Sequence, residues 1–314
     1  MDVISVKRIV SARLKDFKVG HISSLSVSRL GMGENNLNFL VAINKSRFVI
    51  RINLRPELED NLEREFLALK CVPAGIGPMP VFIDRSKKII PNAYSVLTYV
   101  EGKPVKNWTR KHLRLHAQKL AFLHKKTYPY WSDFVTKHKR LDIVKRYQGH
   151  VADFDMQFDK DSCSIIANVE KYLEDHKHLF LSLSRFSLIH MDTCINNILF
   201  TKDDVKYIDW EWVRIRDPAE DLSRHYYPDF SLMPWAILLN GSRWEYFLDE
   251  YLKLRKDKTL KERVKVWNTY YLLTDMLYFQ WKIANFTKEK SDLSKKHYES
   301  AIRLMKRSLN KRFQ

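Results

Sequence analysis

From Ser187 to Asp221 the chain reads SLIHMDTCINNILFTKDDVKYIDWEWVRIRDPAED. Two strand-like apolar pieces, IHM with INNILF and then VKYIDWEW, flank a turn of Thr201, Lys202, Asp203 and Asp204. Strands this short predict that Asp192, Asn197, Asp209 and Glu211 gather at one edge of a small sheet. Oxygen ligands gathered in this way suit phosphoryl transfer. Such a site holds Mg²⁺ against a polyphosphate and orients an attacking hydroxyl with a carboxylate.

The rest of the chain frames that stretch. Residues 1–20 carry Val3, Ile4, Ile9, Val10, Leu14 and Phe17 at amphipathic-helix spacing. SLSVSRL, LNFLVAI and FVIRI then alternate as an antiparallel meander, broken at GMGENN and NKS. Gly31 and Gly33 punctuate the first turn, before Asn35 and Asn36. Glycines there are either a plain hairpin turn or a place where backbone amides approach phosphates. Arg51 sits inside an apolar strand, either solvated and outward or an inward phosphate ligand. A helix follows over 58–72 with Leu62, Phe66 and Leu69 on its apolar face, and Glu65 among the acids that could pair with the strand cation. After strands VFID and AYSVLTYV, Gly102 and Pro104 mark a lobe boundary near residue 101. Beyond it helices dominate: HLRLHAQKLAFLHKK, 139–181, 231–256, 260–286 and 291–311.

Composition narrows the class. The 314 residues, 45% hydrophobic and 13% aromatic, can build a core in one large domain or two lobes. Lys+Arg 55 against Asp+Glu 37 leaves +18, which favours anionic partners without choosing among them. Cys71, Cys163 and Cys194 have no metal spacing and read as reduced thiols in a cytoplasmic protein. No apolar run reaches the roughly 18 residues of a membrane span. MDVISVKRIVSARLKDF lacks the apolar centre of a signal peptide. No helix-turn-helix, zinc or RNA-binding motif argues for nucleic acid.

Taken in order, Gly31-Met32-Gly33, Arg51, Glu65, Tyr99-Val100-Glu101-Gly102, Leu120-Ala121-Phe122-Leu123-His124, His190-Met191-Asp192 with Asn197, Ile208-Asp209-Trp210-Glu211, Asp217-Pro218 and Asp221-Leu222 span roughly 25–255. This order resembles the aminoglycoside phosphotransferase and choline kinase superfamily, relatives of the protein kinases. The resemblance implies an α+β, two-lobed, protein-kinase-like fold. A small antiparallel-sheet N-lobe would occupy 1–101 and a larger, mostly helical C-lobe 102–314. It implies an ATP- and Mg²⁺-dependent kinase acting on a hydroxyl of a small molecule, such as a sugar, amino alcohol or aminoglycoside.

By the same resemblance Asp192 is the catalytic base, and His190 braces its loop by bonding to the strand that bears Asp209. Asn197, Asp209 and, more remotely, Glu211 hold the metal. Gly31, Gly33, Asn36, Arg51, Glu65, Thr98 and Val100 serve the nucleotide, with Val49 and Val100 as apolar walls. Asp221 orders the loop, and Asp217 caps a helix. The chain departs from the pattern with Met191 where Gly is common, Arg51 where Lys is common, and Glu34 in the glycine turn. A nucleotide-binding module without catalysis and a kinase directed at nucleic acid or protein are the alternative readings. The oligomeric state stays open. Asp275, inside YYLLTDMLYFQW, is either an acceptor contact or a paired structural carboxylate. Trp235, Trp244, Trp267, Tyr270, Tyr271, Tyr278 and Trp281 are either core or acceptor lining.

Overall fold

The computed structural model describes residues 2–32, 36–134, 136–225, 239–285 and 294–314. In chain order, helix α1 (Val3–Ala12) precedes strands β1 (Leu25–Met32), β2 (Asn36–Ile43) and β3 (Ser46–Asn53), helix α2 (Glu59–Leu69), and strands β4 (Pro80–Asp84) and β5 (Tyr94–Thr98). Helix α3 (Arg110–Leu123) is followed by two-residue strands β6 (Thr127–Tyr128), β7 (Trp131–Ser132) and β8 (Lys137–His138), then helices α4 (Ile143–Ala152), α5 (Lys160–His176) and α6 (His178–Leu181). Strands β9 (Phe186–Ile189), β10 (Ile198–Phe200), β11 (Val205–Tyr207) and β12 (Arg214–Arg216) lead to helices α7 (Pro218–Ser223), α8 (Gly241–Leu252), α9 (Leu260–Ala284) and α10 (Lys295–Phe313).

The chain forms two compact units, Met1–Asn107 with Asn196–Val213, and Trp108–Ile195 with Arg214–Gln314. The boundary thus lies beyond residue 101, and a later segment returns to the first unit. Backbone bonds explain the return. Lys103 and Phe200 exchange N–H···O bonds of 3.0 and 2.9 Å, and the Tyr207 N–H donates to the Ile76 carbonyl at 2.7 Å.

In the first unit the strands pair antiparallel in the order β1-β2-β3-β5-β4. The alternating sequence buries one face of β2 and β3, where Phe39, Val41, Ile43, Phe48, Ile50 and Ile52 meet Val6, Ile9 and Val10 of α1. Asp2 starts α1 by accepting the Ser5 N–H at 2.9 Å. Phe17 closes this core edge-on to Phe48 and Phe82, with ring centroids 5.0 and 5.3 Å apart.

The second unit contains the five-stranded sheet β6-β9-β12-β7-β8 and the remaining helices. Here the small sheet expected under 187–211 resolves into two. β9 pairs with β12, while β10 and β11 form a separate hairpin in the first unit. A 3-10 turn at Ile195–Asn197 carries the chain from one to the other. Helices α9 and α10 match the expected segments closely. Of 231–256, α8 is described from residue 241, and 226–238 lies outside the described residues.

Candidate active site

Arg51 turns inward. It is 7% exposed and lines a cavity of about 670 Å³ within the first unit. Its Nη1 donates to Glu65 Oε1 at 3.0 Å and its Nη2 to Asp209 Oδ1 at 2.9 Å. Nε is buried without a partner. Glu65, on the buried face of α2, also accepts the Trp210 N–H at 3.1 Å. Burial pushes the Glu65 carboxyl up to about 7, against the pull of the Arg51 charge. Burial disfavours the Arg51 cation, but Glu65 and Asp209 outweigh it and hold its pKa above the ordinary value.

The same cavity collects other expected residues. Gly31, Val49, Thr98, Val100, Asn197 and Asp209 all line it. Asn197 and Asp209 stand at the open end of the β10–β11 hairpin, where Ile198 pairs with Tyr207 and the Ile208 N–H donates to the Asn197 carbonyl at 3.0 Å. Asp209 takes a left-handed backbone, φ 64°. Leu30, Leu97, Leu199 and Ile208 add apolar wall. Around Thr98 the backbone is already committed: its N–H donates to the Met79 carbonyl and the Tyr99 N–H to the Arg47 carbonyl, both at 2.9 Å. Gly102, at φ 135°, passes so close to β10 that a Cβ would stand 2.9 Å from the Leu199 Cβ.

Some expected residues fall elsewhere. Glu211 is half-buried and does not line the cavity, although its charge acts on Arg51. Asn36 is buried at the start of β2 but is not a lining residue; Asn38, two residues on, is. The Asn38 Oδ1 is buried without a partner. Strand periodicity puts 36 and 38 on one face, so Asn38 was readable from the pattern. Gly33 and Glu34 lie outside the described residues.

The donor set can be tested against Mg²⁺. Among the described residues no group of three His, Cys, Asp or Glu side chains could hold a metal. What the cavity offers is one amide and one carboxylate, Asn197 and Asp209. Two hard oxygen donors fit an ion that completes its shell with water and substrate phosphate oxygens.

In the second unit Asp192 follows directly on β9, in a loop held by Asp221. Asp221 Oδ2 accepts the His190 N–H at 2.8 Å and Oδ1 the Met191 N–H at 2.6 Å. Met191 is left-handed, φ 69°, a conformation costly for a side chain with Cβ and fixed here by that bond. The His190 ring, fully buried, bonds through Nδ1 with the Asp192 N–H at 3.2 Å. For Nδ1 to accept, the neutral ring carries its proton on Nε2. This described bracing runs within the loop itself. Burial alone would raise the Asp221 pKa; the 3.1 Å contact with His124 Nε2 and the loop N–H groups bring it below the ordinary value.

Sequence reasoning passed over a histidine pair next to this loop. His225 Nε2 lies 3.0 Å from both His116 Nε2 and Thr193 Oγ1. Burial pushes His225 down to about 4 and His116 well below its usual value. Both rings are therefore neutral at pH 7. Cys194 is a half-buried thiol outside any disulfide. Of the aromatic candidates, Trp244, Trp267, Tyr270 and Tyr271 are core, Tyr278 and Trp281 are exposed, and Trp235 lies outside the described residues. Asp275 pairs with Arg224 at 3.1 Å, as a structural carboxylate would.

The sequence profile of the phosphotransferase enzyme family matches residues 26–256. Among curated protein sequences none matches the chain. Among solved structures, a Plasmodium vivax ethanolamine kinase superposes with TM-score 0.65 at 15% identity, covering 96% of this chain and 89% of its own. A choline/ethanolamine kinase family protein from Mesorhizobium loti gives 0.61 at 18%, covering 96% and 94%. A thermostable mutant of aminoglycoside phosphotransferase APH(4)-Ia, in ternary complex with AMP-PNP and hygromycin B, gives 0.59 at 14%, covering 94% and 98%. These likenesses carry the fold, an α+β protein-kinase-like architecture.

Proposed function

The chain belongs to the phosphotransferase enzyme family, and from that premise we propose that it transfers the γ-phosphate of ATP, with Mg²⁺, to a hydroxyl of a small molecule. The observation that carries the reading is that Arg51, Asn197 and Asp209 all open onto one cavity of the first unit. Its apolar walls suit a nucleobase, and its polar residues suit phosphates. The complex of a similar enzyme with AMP-PNP supports nucleotide binding.

Arg51 binds phosphate oxygens through its guanidinium, steadied by Glu65 behind it. Asn197 and Asp209 would hold Mg²⁺, which supplies charge neutralisation at the polyphosphate. Asp192 orients the acceptor hydroxyl and takes its proton as the oxygen bonds to the γ-phosphorus. The bond from that phosphorus to the β,γ-bridging oxygen breaks, and ADP leaves with the electron pair. Asp221 fixes the loop from which Asp192 acts. Three cysteines outside any disulfide agree with a reducing, cytoplasmic setting.

The test is a phosphotransfer assay with Mg-ATP over a panel of hydroxyl compounds, for the wild type and Asp192→Ala. The variant is expected to lose about 10²–10⁴-fold in kcat while still binding ATP. Unchanged turnover in Asp192→Ala would overturn the reading.

A further inference from the structure

One rung of the first unit's sheet is polar on the cavity side. Gly31 of β1 pairs with Asn38 of β2, Asn38 with Arg51 of β3, and Arg51 with Ser95 of β5. Directly opposed residues of antiparallel strands share a face. Two residues further along the strands, about 7 Å away, the rung Leu40, Val49 and Leu97 is apolar. Gly31, Asn38, Val49, Arg51 and Leu97 all line the cavity. Its wall thus changes from apolar to polar over that distance, which matches a nucleobase followed by a charged phosphate chain.

Two atoms on the polar rung lack partners. Arg51 Nη1 and Nη2 are taken by Glu65 and Asp209, and the Glu211 charge also acts on the guanidinium, but Nε–H is enclosed without an acceptor. Opposite it the Asn38 Oδ1 is enclosed without a donor. A donor and an acceptor therefore stand unmet on directly opposed residues. An enclosed carbonyl oxygen without a donor costs stability. An apolar side chain, as at Leu40 and Val49, would fill the strand position without that cost. Packing alone thus does not account for a carboxamide at position 38. Of its two polar atoms only Oδ1 is enclosed, which leaves Nδ2 for the cavity that Asn38 lines. Nδ2 is a donor only, and phosphate oxygens accept.

We propose that Asn38 binds the polyphosphate of the nucleotide through Nδ2 and positions Arg51 through Oδ1. As a phosphate draws the guanidinium from Asp209, Nε–H meets Oδ1, and the fork is fixed in plane with the phosphate oxygens. The register places this contact at the phosphates and not at the base. Asn38 stands between the glycine turn and Arg51, whereas Leu40 is the residue opposite the apolar Val49. The inference rests on the cavity being a nucleotide site and adds to it a residue that neither the glycine turn nor the strand cation announces.

Calorimetric titration of the whole chain with Mg-ATP and with adenosine reads the contact without any acceptor. Asn38→Leu is expected to weaken Mg-ATP about 10–100-fold and to leave adenosine unchanged. Asn38→Asp keeps Oδ1 but replaces the donor by a negative charge, so it is expected to weaken Mg-ATP further, again with adenosine unchanged. The positioning half is read by ¹⁵N NMR of the guanidinium groups. Exchange of the Arg51 Nε–H with solvent is expected to slow at saturating Mg-ATP in the wild type and not in Asn38→Leu. Asn38→Gln, with the same amide, is expected to recover part of both effects. Should Asn38→Leu unfold, Asn38→Gln and Asn38→Asp carry the same comparison. Equal losses for adenosine and Mg-ATP, indifference of Mg-ATP affinity to these substitutions, or unaltered Nε–H exchange would each overturn the proposal. A wild type that binds no nucleotide would overturn it together with the reading of the cavity. Nucleotide binding with the expected Asn38 dependence but no turnover of any acceptor would strike the kinase reading alone.

Discussion

Arg51 separates two carboxylates that would otherwise face each other across the cavity wall. Arg51→Met would leave Glu65, 2% exposed, with the Trp210 N–H as its described partner. Stranding one member of a buried pair costs about 3–5 kcal/mol, so denaturant unfolding of this variant at pH 8 is expected to show a loss of that size. The loss should shrink as pH falls. Burial already lifts the Glu65 pKa above its unfolded value, and without Arg51 it rises further. A carboxyl shifted upward keeps its stability at low pH and loses it as pH rises through the folded pKa. The strand pattern could not have given the direction of Arg51. Alternation says that Val49 and Arg51 share a face but not whether that face meets a solvent-filled cleft or a core.

At the scale of elements, α7 is held at its N-terminus by charge. Asp217 caps it by accepting the Ala219 N–H at 3.1 Å. It also accepts from Arg263 Nε and Trp267 Nε1 of α9, both at 2.9 Å. Arg263 is 1% exposed, and its other described carboxylate partner is Asp257. Asp217→Ala is therefore expected to cost about 3–5 kcal/mol in chemical denaturation. Capping alone accounts for about 1. The sequence motif revealed the cap and not the anchor, because the partner lies 46 residues on.

The histidine pair beside α7 sets an acid limit. His225 binds a proton near pH 4 folded and near 6.5 unfolded, so the unfolded chain holds the extra proton between those values. Stability from this group rises with pH across that window; going down through it costs on the order of 3 kcal/mol. Unfolding free energies between pH 4.5 and 7 should show a shallower slope in His225→Asn. Local periodicity made α1, α2, α9 and the β1–β3 meander legible. The strands β6, β7 and β8 were not, since two residues carry no period and the pairing of β6 with β9 and of β7 with β12 spans over 50 positions.

For the molecule as a whole, the expected nucleotide ligands are confined to the first unit although the chain enters it twice. Saturation with Mg-ATP at 100 times Kd stabilises the binding unit by about 2.7 kcal/mol. Hydrogen exchange should then slow by about 100-fold in the core amides of 36–53, 94–104 and 196–209, and far less in α5 and α10. Equal slowing in both sets would contradict a cavity built from the first unit alone. The order of motifs along the sequence foretold this grouping only through family resemblance. No local signal in 196–213 marks it as part of an earlier unit; the bonds to Lys103 and Ile76 do that.

The β10–β11 hairpin holds Asn197 and Asp209 as the two jaws of a caliper. Its gap is set by the Ile198–Tyr207 pairing at the cavity end, and its hinge, Thr201 to Asp204, lies three ladder steps away with Lys202 and Asp203 exposed. Extra residues spliced into that hinge would lengthen the handle without moving the jaws. A fluorophore or affinity tag placed there would thus report on the hairpin while leaving the spacing of the two oxygen donors as it is.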